Sequence, residues 1–186
     1  MFARTERLLL RPAWEEDAGA LFPAIGEERI VRNLATAPWP YLPEHARAWV
    51  SADRPANRPA SLIFRRTASG PELVGGIGIH DTPDGSVELG YWIARGHWGR
   101  GYASEAGHAL VGFARHVLRL DRLVAGHFLD NPASGSVLRK LGFQPTGRIG
   151  TRHSLARGED TPMAEFVLEL NRAEEEPAAA ACPLAA

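Results

Sequence analysis

A glycine turn, Trp98-Gly99-Arg100-Gly101-Tyr102, lies between a predicted strand and a predicted helix. Glycines allow a backbone to approach a ligand closely, and the first N–H groups of a helix have no partner within that helix. The helix N-terminus carries about half a positive charge and Arg100 adds a full charge, so the turn is suited to a pyrophosphate. A tight turn without any ligand is the alternative interpretation of an isolated glycine pair.

Two nucleotide-binding motifs match this turn only in part. A Walker A loop ends in Gly-Lys-Ser/Thr, a tripeptide that the sequence lacks. A dinucleotide-binding fingerprint is closer, because Gly99-x-Gly101-x-x-Ser104 follows a strand and Asp130 ends the next strand, but the third glycine is missing. The antiparallel hairpins predicted upstream also differ from the start of a doubly wound sheet. A nicotinamide or flavin enzyme is therefore a minor alternative.

Three side chains on neighbouring predicted strands could accept a proton. Glu88 lies on the strand that leads into the glycine turn, where a carboxylate can act directly or through water. His80 and Asp81, at the end of the preceding strand, are alternatives, and a histidine titrates near neutral pH. Glu88 could equally be an ordinary cross-strand charge. We prefer Glu88 as the candidate base.

Metal and thiol chemistry have little support in the sequence. Four histidines show no metal-ligand spacing: His45, His97, His127 and His153. His108 and His116 belong to a helix that we expect to pack behind the sheet. The single cysteine, Cys182, lies in an Ala-rich segment, so no intramolecular disulfide can form. We expect no metal cofactor.

Composition and charge are those of an ordinary globular protein. The 186 residues are 45% hydrophobic and 23% charged, which is enough to bury one sizeable core. The formal net charge of -1 gives no field that would attract a nucleic acid or an anionic membrane. Neither a signal-peptide pattern nor an apolar run of roughly 20 residues is present. We expect a cytoplasmic protein with no nucleic-acid and no membrane partner.

The apolar periodicity predicts alternating strands and helices. Strands are predicted at Glu6–Arg11, Ser61–Arg66, Glu72–His80, Ser86–Ile93, Arg122–Leu129, Phe143–Arg148 and Pro162–Leu170. Helices are predicted at Trp14–Glu27, Glu44–Ala52, Tyr102–Leu118 and Pro132–Leu141. The segment APWPYLP, Ala37–Pro43, breaks regular structure and is interpreted as part of a lid on the substrate side.

This order predicts an α/β (α+β) fold. We expect a single mixed, mostly antiparallel twisted sheet of about 6–7 strands, flanked by about four helices. Residues 1–170 are predicted to form one domain, and residues 171–186 to form a disordered Ala/Glu-rich tail.

Four segments together resemble a known family. RTERLLLRP, ELGYWI, WGRGYASEA and NPASGSVLRKLGF resemble the GNAT superfamily, and within it the ribosomal-protein alanine/serine N-acetyltransferase branch. The resemblance spans Arg4 to Leu170, and its most specific part is the ordered pair WGxGYAxEA and NxxSxxVLxKLGF. It implies a GNAT-like acyl-CoA N-acyltransferase fold. It also implies transfer of the acetyl group of acetyl-CoA to a primary amine by direct attack.

The resemblance further implies the residues that bind coenzyme A. Backbone N–H groups of the glycine turn would bind the pyrophosphate, and the preceding strand would contact the pantetheine and donate to the thioester oxygen. The implied residues are Tyr91, Trp92, Ile93, Trp98, Gly99, Arg100, Gly101, Tyr102, Ala103, Ser104, Asn131 and Ser134. The superfamily's turn most commonly begins with Gln or Arg, so Trp98 departs from it at one side-chain contact.

Asn131 and Ser134 begin the second helix of the motif. The resemblance places Asn131 beside the pantetheine and Ser134 near the thioester sulfur, as a general acid that protonates the leaving thiolate. Each has a simpler interpretation, because Asn131 is also a good N-cap ahead of Pro132, and Ser134 can be a polar residue of a first helical turn.

The chemistry of the amine sets a requirement on the base. A lysine amine with a pKa near 10.4 is about 0.04% neutral at pH 7, against about 10% for an α-amine near 7.8. The difference corresponds to roughly 3.5 kcal/mol of deprotonation cost, so an α-amine can react with a weaker base. We expect the acceptor to be a protein N-terminus, with a small-molecule amine such as an aminoglycoside, a polyamine or an amino-acid-like compound as the alternative. A non-catalytic acetyl-CoA-binding module is a further alternative, and a homodimer is expected from the family.

Overall fold

Eight strands form one open sheet in the computed structural model, which describes residues 1–170. The strands are β1 Ala3–Arg4, β2 Leu8–Arg11, β3 Ala60–Thr67, β4 Gly70–Asp81, β5 Val87–Ile93, β6 Arg122–Phe128, β7 Gln144–Ser154 and β8 Glu159–Glu169. The helices are α1 Ala18–Ile25, α2 Glu28–Val31, α3 Pro43–Ser51, α4 Tyr102–His116 and α5 Pro132–Lys140. The predicted tail and Cys182 lie outside these residues.

The strand order in the sheet is β1-β2-β3-β4-β5-β6-β8-β7. Neighbouring strands are antiparallel except β5 and β6, which are parallel and connected through α4. A parallel pair needs such a crossover, usually a helix. β5 and β6 share one register pair, Glu88 with Val124. β4 and β5 are instead paired along their length, from Gly75 opposite Ile93 to Asp81 opposite Val87. The sheet therefore opens between β5 and β6 beyond Glu88.

Two hydrophobic clusters cover the two faces of the sheet. Alternate residues of a strand point to opposite faces, and Leu62 and Ile63 accordingly belong to different clusters. The larger cluster includes Leu110 of α4 and Leu138 of α5. The smaller cluster includes Leu21 of α1 and residues of α2 and α3. The fold class is thus confirmed as a mixed α/β sheet with helices, with eight strands in place of the expected 6–7 and five α-helices in place of about four.

The first predicted helix, Trp14–Glu27, is wrong in its extent. Its acidic start forms a separate 3₁₀ turn, Glu15–Asp17, because Asp17 is bound to Arg11 of β2 and to the Trp14 backbone. Gly26 then ends α1, and α2 follows as an additional short helix. The predicted strand Phe143–Arg148 extends as β7 to Ser154, because the β7–β8 hairpin supplies register partners that apolar periodicity does not reveal.

The ion pair of Arg11 and Asp17 is buried. Arg11 donates from Nη1 and Nη2 to the two carboxylate oxygens of Asp17 at 2.6 and 2.8 Å. The Trp14 N–H donates to the same carboxylate at 2.7 Å. The Arg11 guanidinium lies between the rings of Trp14 and Phe64, at 3.8 and 4.2 Å from their centroids. Burial alone would raise the pKa of Asp17, but the hydrogen bonds from Arg11 and Trp14 lower it below the usual value.

The N-terminal segment also fixes the start of α4. Glu105 in the first turn of α4 accepts hydrogen bonds from Thr5 Oγ1 at 2.6 Å and from Arg7 N and Nε at 2.8 and 2.7 Å. Burial raises the pKa of Glu105, and these hydrogen bonds lower it by more, so its pKa lies below the usual value. Arg7 Nη1 also donates to the Arg100 carbonyl at 3.0 Å. β2 and the glycine turn are therefore held together.

Within residues 1–170, no helix is both long and apolar enough to cross a membrane.

Candidate functional site

A cleft of about 1240 Å³ lies where β5 and β6 diverge. Its walls come from β4, β5, β6, the glycine turn, the start of α5 and the segment around α3. It contains the three candidate bases, Glu88, His80 and Asp81. Of the twelve residues implied to bind coenzyme A, only Arg100 does not line the cleft. Residues far apart in the sequence thus meet at one site.

The glycine turn has the backbone that was expected of it. Gly99 and Gly101 have φ values of 73° and 80°, in the left-handed region that L side chains rarely adopt. Gly101 is the N-cap of α4, so the N–H groups of the residues that follow it have no partner within the helix. Tyr102, Ala103 and Ser104 line the cleft. This helix start can therefore present N–H donors to an anionic group.

Trp98 closes the turn onto the preceding strand. Its Nε1–H donates to the Ile93 carbonyl at 2.6 Å, and the ring is about half exposed. The indole thus holds together the two ends of the loop between β5 and α4. Trp98 therefore has a structural role in this chain, at the position where the superfamily usually has Gln or Arg.

Tyr91 and Ser134 form a hydrogen-bonded pair across the cleft. Tyr91 Oη lies 2.7 Å from Ser134 Oγ and donates to the Ser134 carbonyl with an Oη–O distance of 3.1 Å. Burial raises the pKa of Tyr91 to about 12, with a smaller opposing effect of the bond to Ser134. The phenol is therefore neutral at physiological pH and acts as a hydrogen-bonding group.

The two aromatics of β5, Tyr91 and Trp92, both line the cleft. Each also packs on a hydrophobic cluster, Tyr91 on the larger one and Trp92 on the smaller one. A Cβ on Gly76 would lie 2.6 Å from Trp92 Nε1, so the glycine makes room for the indole.

The start of α5 is shaped by close packing on β6. Asn131 is the N-cap of α5, as predicted, but its side chain makes no capping hydrogen bond. Capping therefore does not account for its side chain, which lines the cleft. A Cβ on Gly135 would lie 2.5 Å from His127 Nε2, so only glycine allows this approach of α5 to β6. Gly142 follows α5 with φ 92°, a left-handed conformation that glycine commonly adopts after the end of a helix.

Glu88 is 5% exposed and is bound by an arginine that the sequence analysis missed. Arg152 Nη1, on β7, lies 2.6 and 2.7 Å from the two carboxylate oxygens of Glu88. His80 Nε2 lies 3.8 Å from Glu88 Oε2, and the His80 side chain is 59% exposed. No sequence signal identifies Arg152, because it is 64 residues from Glu88 and follows no apolar alternation.

Asp81 has a different partner from Glu88. Arg58 donates to Asp81 Oδ1 from Nε at 2.8 Å, and the Asp81 side chain is 57% exposed. Of the three candidate bases, Glu88 and His80 therefore lie together, and Asp81 belongs to a surface ion pair.

The segment around α3 forms the opposite wall. Tyr41 is buried, and burial raises its pKa. Trp49 of α3 also lines the cleft, and the Arg54 guanidinium lies 4.3 Å from the centroid of its ring. The APWPYLP segment predicted as a lid contributes Ala37, Pro38 and Tyr41 to this wall.

Residues 1–170 contain no group of three or more His, Cys, Asp or Glu side chains arranged to hold a metal ion.

Comparison with known proteins shows the family. The Acetyltransferase (GNAT) domain family matches residues 7–144. The uncharacterized N-acetyltransferase p20 of Bacillus licheniformis is 32% identical over 153 residues, which cover 78% of this chain and 83% of that protein. The chain therefore belongs to the GNAT acetyltransferases, and the resemblance to the GNAT superfamily seen in the sequence is confirmed. It is an N-acetyltransferase that uses acetyl-CoA.

Three solved structures have the same fold. A GNAT-family acetyltransferase from Bacillus anthracis has a TM-score of 0.76 at 22% identity, covering 91% of this chain and 98% of that one. RimL, a ribosomal alpha-N-protein acetyltransferase in complex with coenzyme A, has a TM-score of 0.70 at 21% identity, with 91% and 97% covered. The microcin self-immunity acetyltransferase MccE, in complex with acetyl-CoA and AMP, has a TM-score of 0.73 at 16% identity, with 89% and 93% covered. At these identities the likeness concerns the fold alone.

Proposed function

We propose that this N-acetyltransferase acetylates the α-amine of a protein or peptide N-terminus. The observation that carries the proposal is the pairing of Glu88 with Arg152. The buried Glu88 carboxylate is already paired with the charge of Arg152, so it gives only moderate help to the deprotonation of the acceptor amine. An α-amine needs roughly 3.5 kcal/mol less of such help than a lysine amine.

The glycine turn is proposed to bind the pyrophosphate of acetyl-CoA. N–H donors at the start of α4 and the positive end of its dipole favour an anion there. Asn131, with no capping bond of its own, is available to the pantetheine. β5 beyond Glu88 has no register partner on β6, so its free edge can supply the N–H group that stabilises the developing oxyanion.

Two residues of the cleft, Glu88 and Ser134, are assigned to proton transfer. Glu88 accepts the proton of the attacking amine through water, and His80, 3.8 Å away, connects the carboxylate to solvent. Ser134 donates a proton to the thiolate that leaves when the C–S bond breaks and the amide bond forms. Tyr91 is a positioning residue, because its phenol holds the Ser134 hydroxyl.

The test is the release of free CoA thiol from acetyl-CoA in the presence of matched peptides. Each peptide would be used with a free N-terminus and with the same N-terminus blocked, with one internal lysine in both forms. We expect thiol release with the free peptide only, and mass spectrometry should place the acetyl group on the α-amine. Equal acetylation of the blocked peptide at lysine would contradict the proposal.

A small-molecule amine is the second candidate acceptor. It is favoured by the fold shared with MccE, whose structure contains AMP beside acetyl-CoA. The same assay would therefore include an aminoglycoside, a polyamine and an aminoacyl compound. If any of these compounds gives faster thiol release than every peptide, the acceptor belongs to the class of that compound. Binding of acetyl-CoA with no transfer to any amine would instead support the non-catalytic module.

A further inference from the structure

Arg54 differs from the other arginines of the cleft in having no carboxylate partner among residues 1–170. Arg58 pairs with Asp81 and Arg152 pairs with Glu88, which accounts for both carboxylates that line the cleft. Among residues 1–170, the hydrogen-bond acceptors of Arg54 are two carbonyl groups, at Trp49 and Ala52. The cleft therefore contains a positive charge that no acidic side chain in this part of the chain balances.

The Arg54 guanidinium is held in place before any ligand binds. Nη2 donates to the Trp49 carbonyl at 2.6 Å and Nη1 donates to the Ala52 carbonyl at 3.1 Å. The guanidinium lies 4.3 Å from the centroid of the Trp49 ring. A guanidinium has five N–H donors, so these two bonds leave three, which suffice for a bidentate bond to a carboxylate. Burial lowers the pKa of Arg54, as expected for a cation that has lost water without gaining an acid.

The position of Arg54 associates it with the acceptor and not with the glycine turn. It belongs to the loop between α3 and β3, and Arg58 of the same loop is bound to Asp81 at the end of β4. Asp81 follows His80, which is paired in register with Glu88 on β5. The loop that carries Arg54 is thus anchored to the end of β4, next to His80.

We propose that Arg54 binds a carboxylate of the acceptor, so that the enzyme prefers amines that carry an acidic group over neutral or polycationic amines. The proposal rests on the proposed function, since it concerns the acceptor of the same reaction. The carboxylate can be an acidic side chain near a peptide N-terminus or the α-carboxylate of a free amino acid. A polyamine acceptor would instead bring further positive charge next to Arg54, which is unfavourable.

The test compares kcat/KM for acceptor pairs that differ in one carboxylate. Peptides beginning Ala-Asp and Ala-Asn address the side-chain source, and alanine with alaninamide address the free α-carboxylate. We expect the acidic member of one pair to be preferred by about 10- to 100-fold, the range of a hydrogen-bonded charge. Arg54→Gln should remove this preference, mainly through KM, and Arg54→Lys should restore part of it, because a lysine keeps the charge without the bidentate geometry.

A matched control separates recognition from folding. Arg47→Gln removes the same charge from the exposed face of α3, and it should keep the preference of the unsubstituted protein. Thermal unfolding and acetyl-CoA affinity of each variant would show whether Arg54 only supports the end of α3. An equal loss for acidic and neutral acceptors in Arg54→Gln would overturn the proposal, as would the absence of any preference in the unsubstituted protein.

Binding of the same acceptors to the CoA-saturated protein gives a readout without turnover. We expect the acidic acceptor of the pair to bind more tightly than the neutral one by the same factor. This difference in affinity should disappear in Arg54→Gln. If no acceptor is acetylated but this difference is found, the proposed function fails while the role of Arg54 stands. If acetylation occurs and no acidic acceptor binds or reacts better, the proposed function stands and the role of Arg54 is refuted.

Discussion

Asp17 and Glu88 are both buried carboxylates that bind one arginine each, but their surroundings differ. Asp17 accepts three hydrogen bonds, and its arginine lies between two aromatic rings. Glu88 lines the cleft, and beyond Arg152 it lies near His80, whose side chain is 59% exposed. Both carboxylates are shielded from bulk water by the fold, but only Glu88 faces a space that a substrate can enter.

The comparison teaches that burial and pairing alone do not identify a catalytic carboxylate. A buried ion pair that faces no cleft costs much free energy to break, and no substrate reaches its carboxylate. The carboxylate of a pair at the wall of a cleft can be reached by a substrate, directly or through water. We therefore assign the Arg11–Asp17 pair to stability and the Arg152–Glu88 pair to function, and the following substitutions test that division.

Glu88→Gln should have the largest effect on activity. The amide keeps the shape of the side chain but removes the proton acceptor, so kcat/KM should fall by about 10²- to 10⁴-fold. Steady-state thiol release at saturating acetyl-CoA would measure the loss. Arg152→Gln is the comparison variant, because it breaks the same ion pair and leaves the carboxylate. Similar losses in the two variants would mean that the pair acts as a structural unit and not through Glu88 as a base.

Asp17→Asn should mainly affect folding. Removing one partner of a buried ion pair leaves an uncompensated charge, and we expect a loss of about 3–5 kcal/mol in the free energy of unfolding. Urea denaturation at pH 7 would measure it, with kcat/KM of the folded protein unchanged within about twofold. Glu16→Gln is the matched control, since it removes an exposed charge from the same turn. A large loss of activity at unchanged stability would break the division.

Ser134→Ala should lower kcat by about 10²-fold if its hydroxyl protonates the thiolate. Tyr91→Phe should lower kcat by about 10-fold, because it removes one hydrogen bond that positions Ser134. With a Tyr91 pKa of about 12, the phenol does not titrate in the assay range, so the pH profile should keep its shape in Tyr91→Phe. A shifted profile would show that Tyr91 itself exchanges a proton. Unchanged kcat in Ser134→Ala would remove the serine from the mechanism.

The pH dependence of stability gives the smallest expected effect. The pKa of Asp17 is lowered in the folded state, so its contribution is complete above the unfolded value of about 3.9 and is lost as the pH falls through the folded value. The stability difference between the unsubstituted protein and Asp17→Asn should therefore be constant near neutral pH and shrink below about pH 4. Urea midpoints between pH 7 and 3 would measure this. A difference that disappears already at pH 6 would contradict the sign of the shift.

The parts of the site that the sequence predicts are those built from neighbouring residues. The glycine turn, the helix that follows it and the N-cap of α5 depend on backbone preferences within a few positions, and their bounds were predicted closely, with α5 at Pro132–Lys140 against the predicted Pro132–Leu141. The resemblance implied a pantetheine contact for Asn131 and a general-acid role for Ser134 by position, and both roles stay predictions.

The parts that could not be predicted depend on register across the sheet. Arg152 reaches Glu88 from the β7–β8 hairpin, and Tyr91 meets Ser134 from a strand 43 residues earlier. Neither contact leaves a periodic signal in the sequence. Arg54 was missed for a related reason, since its lack of an acidic partner is visible only when every carboxylate of the cleft has been placed.

By itself, the sequence determined the family, the mixed α/β class and the glycine turn ahead of α4, because these follow from local motifs and hydrophobic spacing. The tertiary structure alone decided which carboxylates line the cleft, which arginines pair with them and which arginine of the cleft has no carboxylate partner among residues 1–170. The physical reason is that the charge of a site is a sum over residues from distant strands, and only the folded sheet brings those residues within a few ångströms of one another.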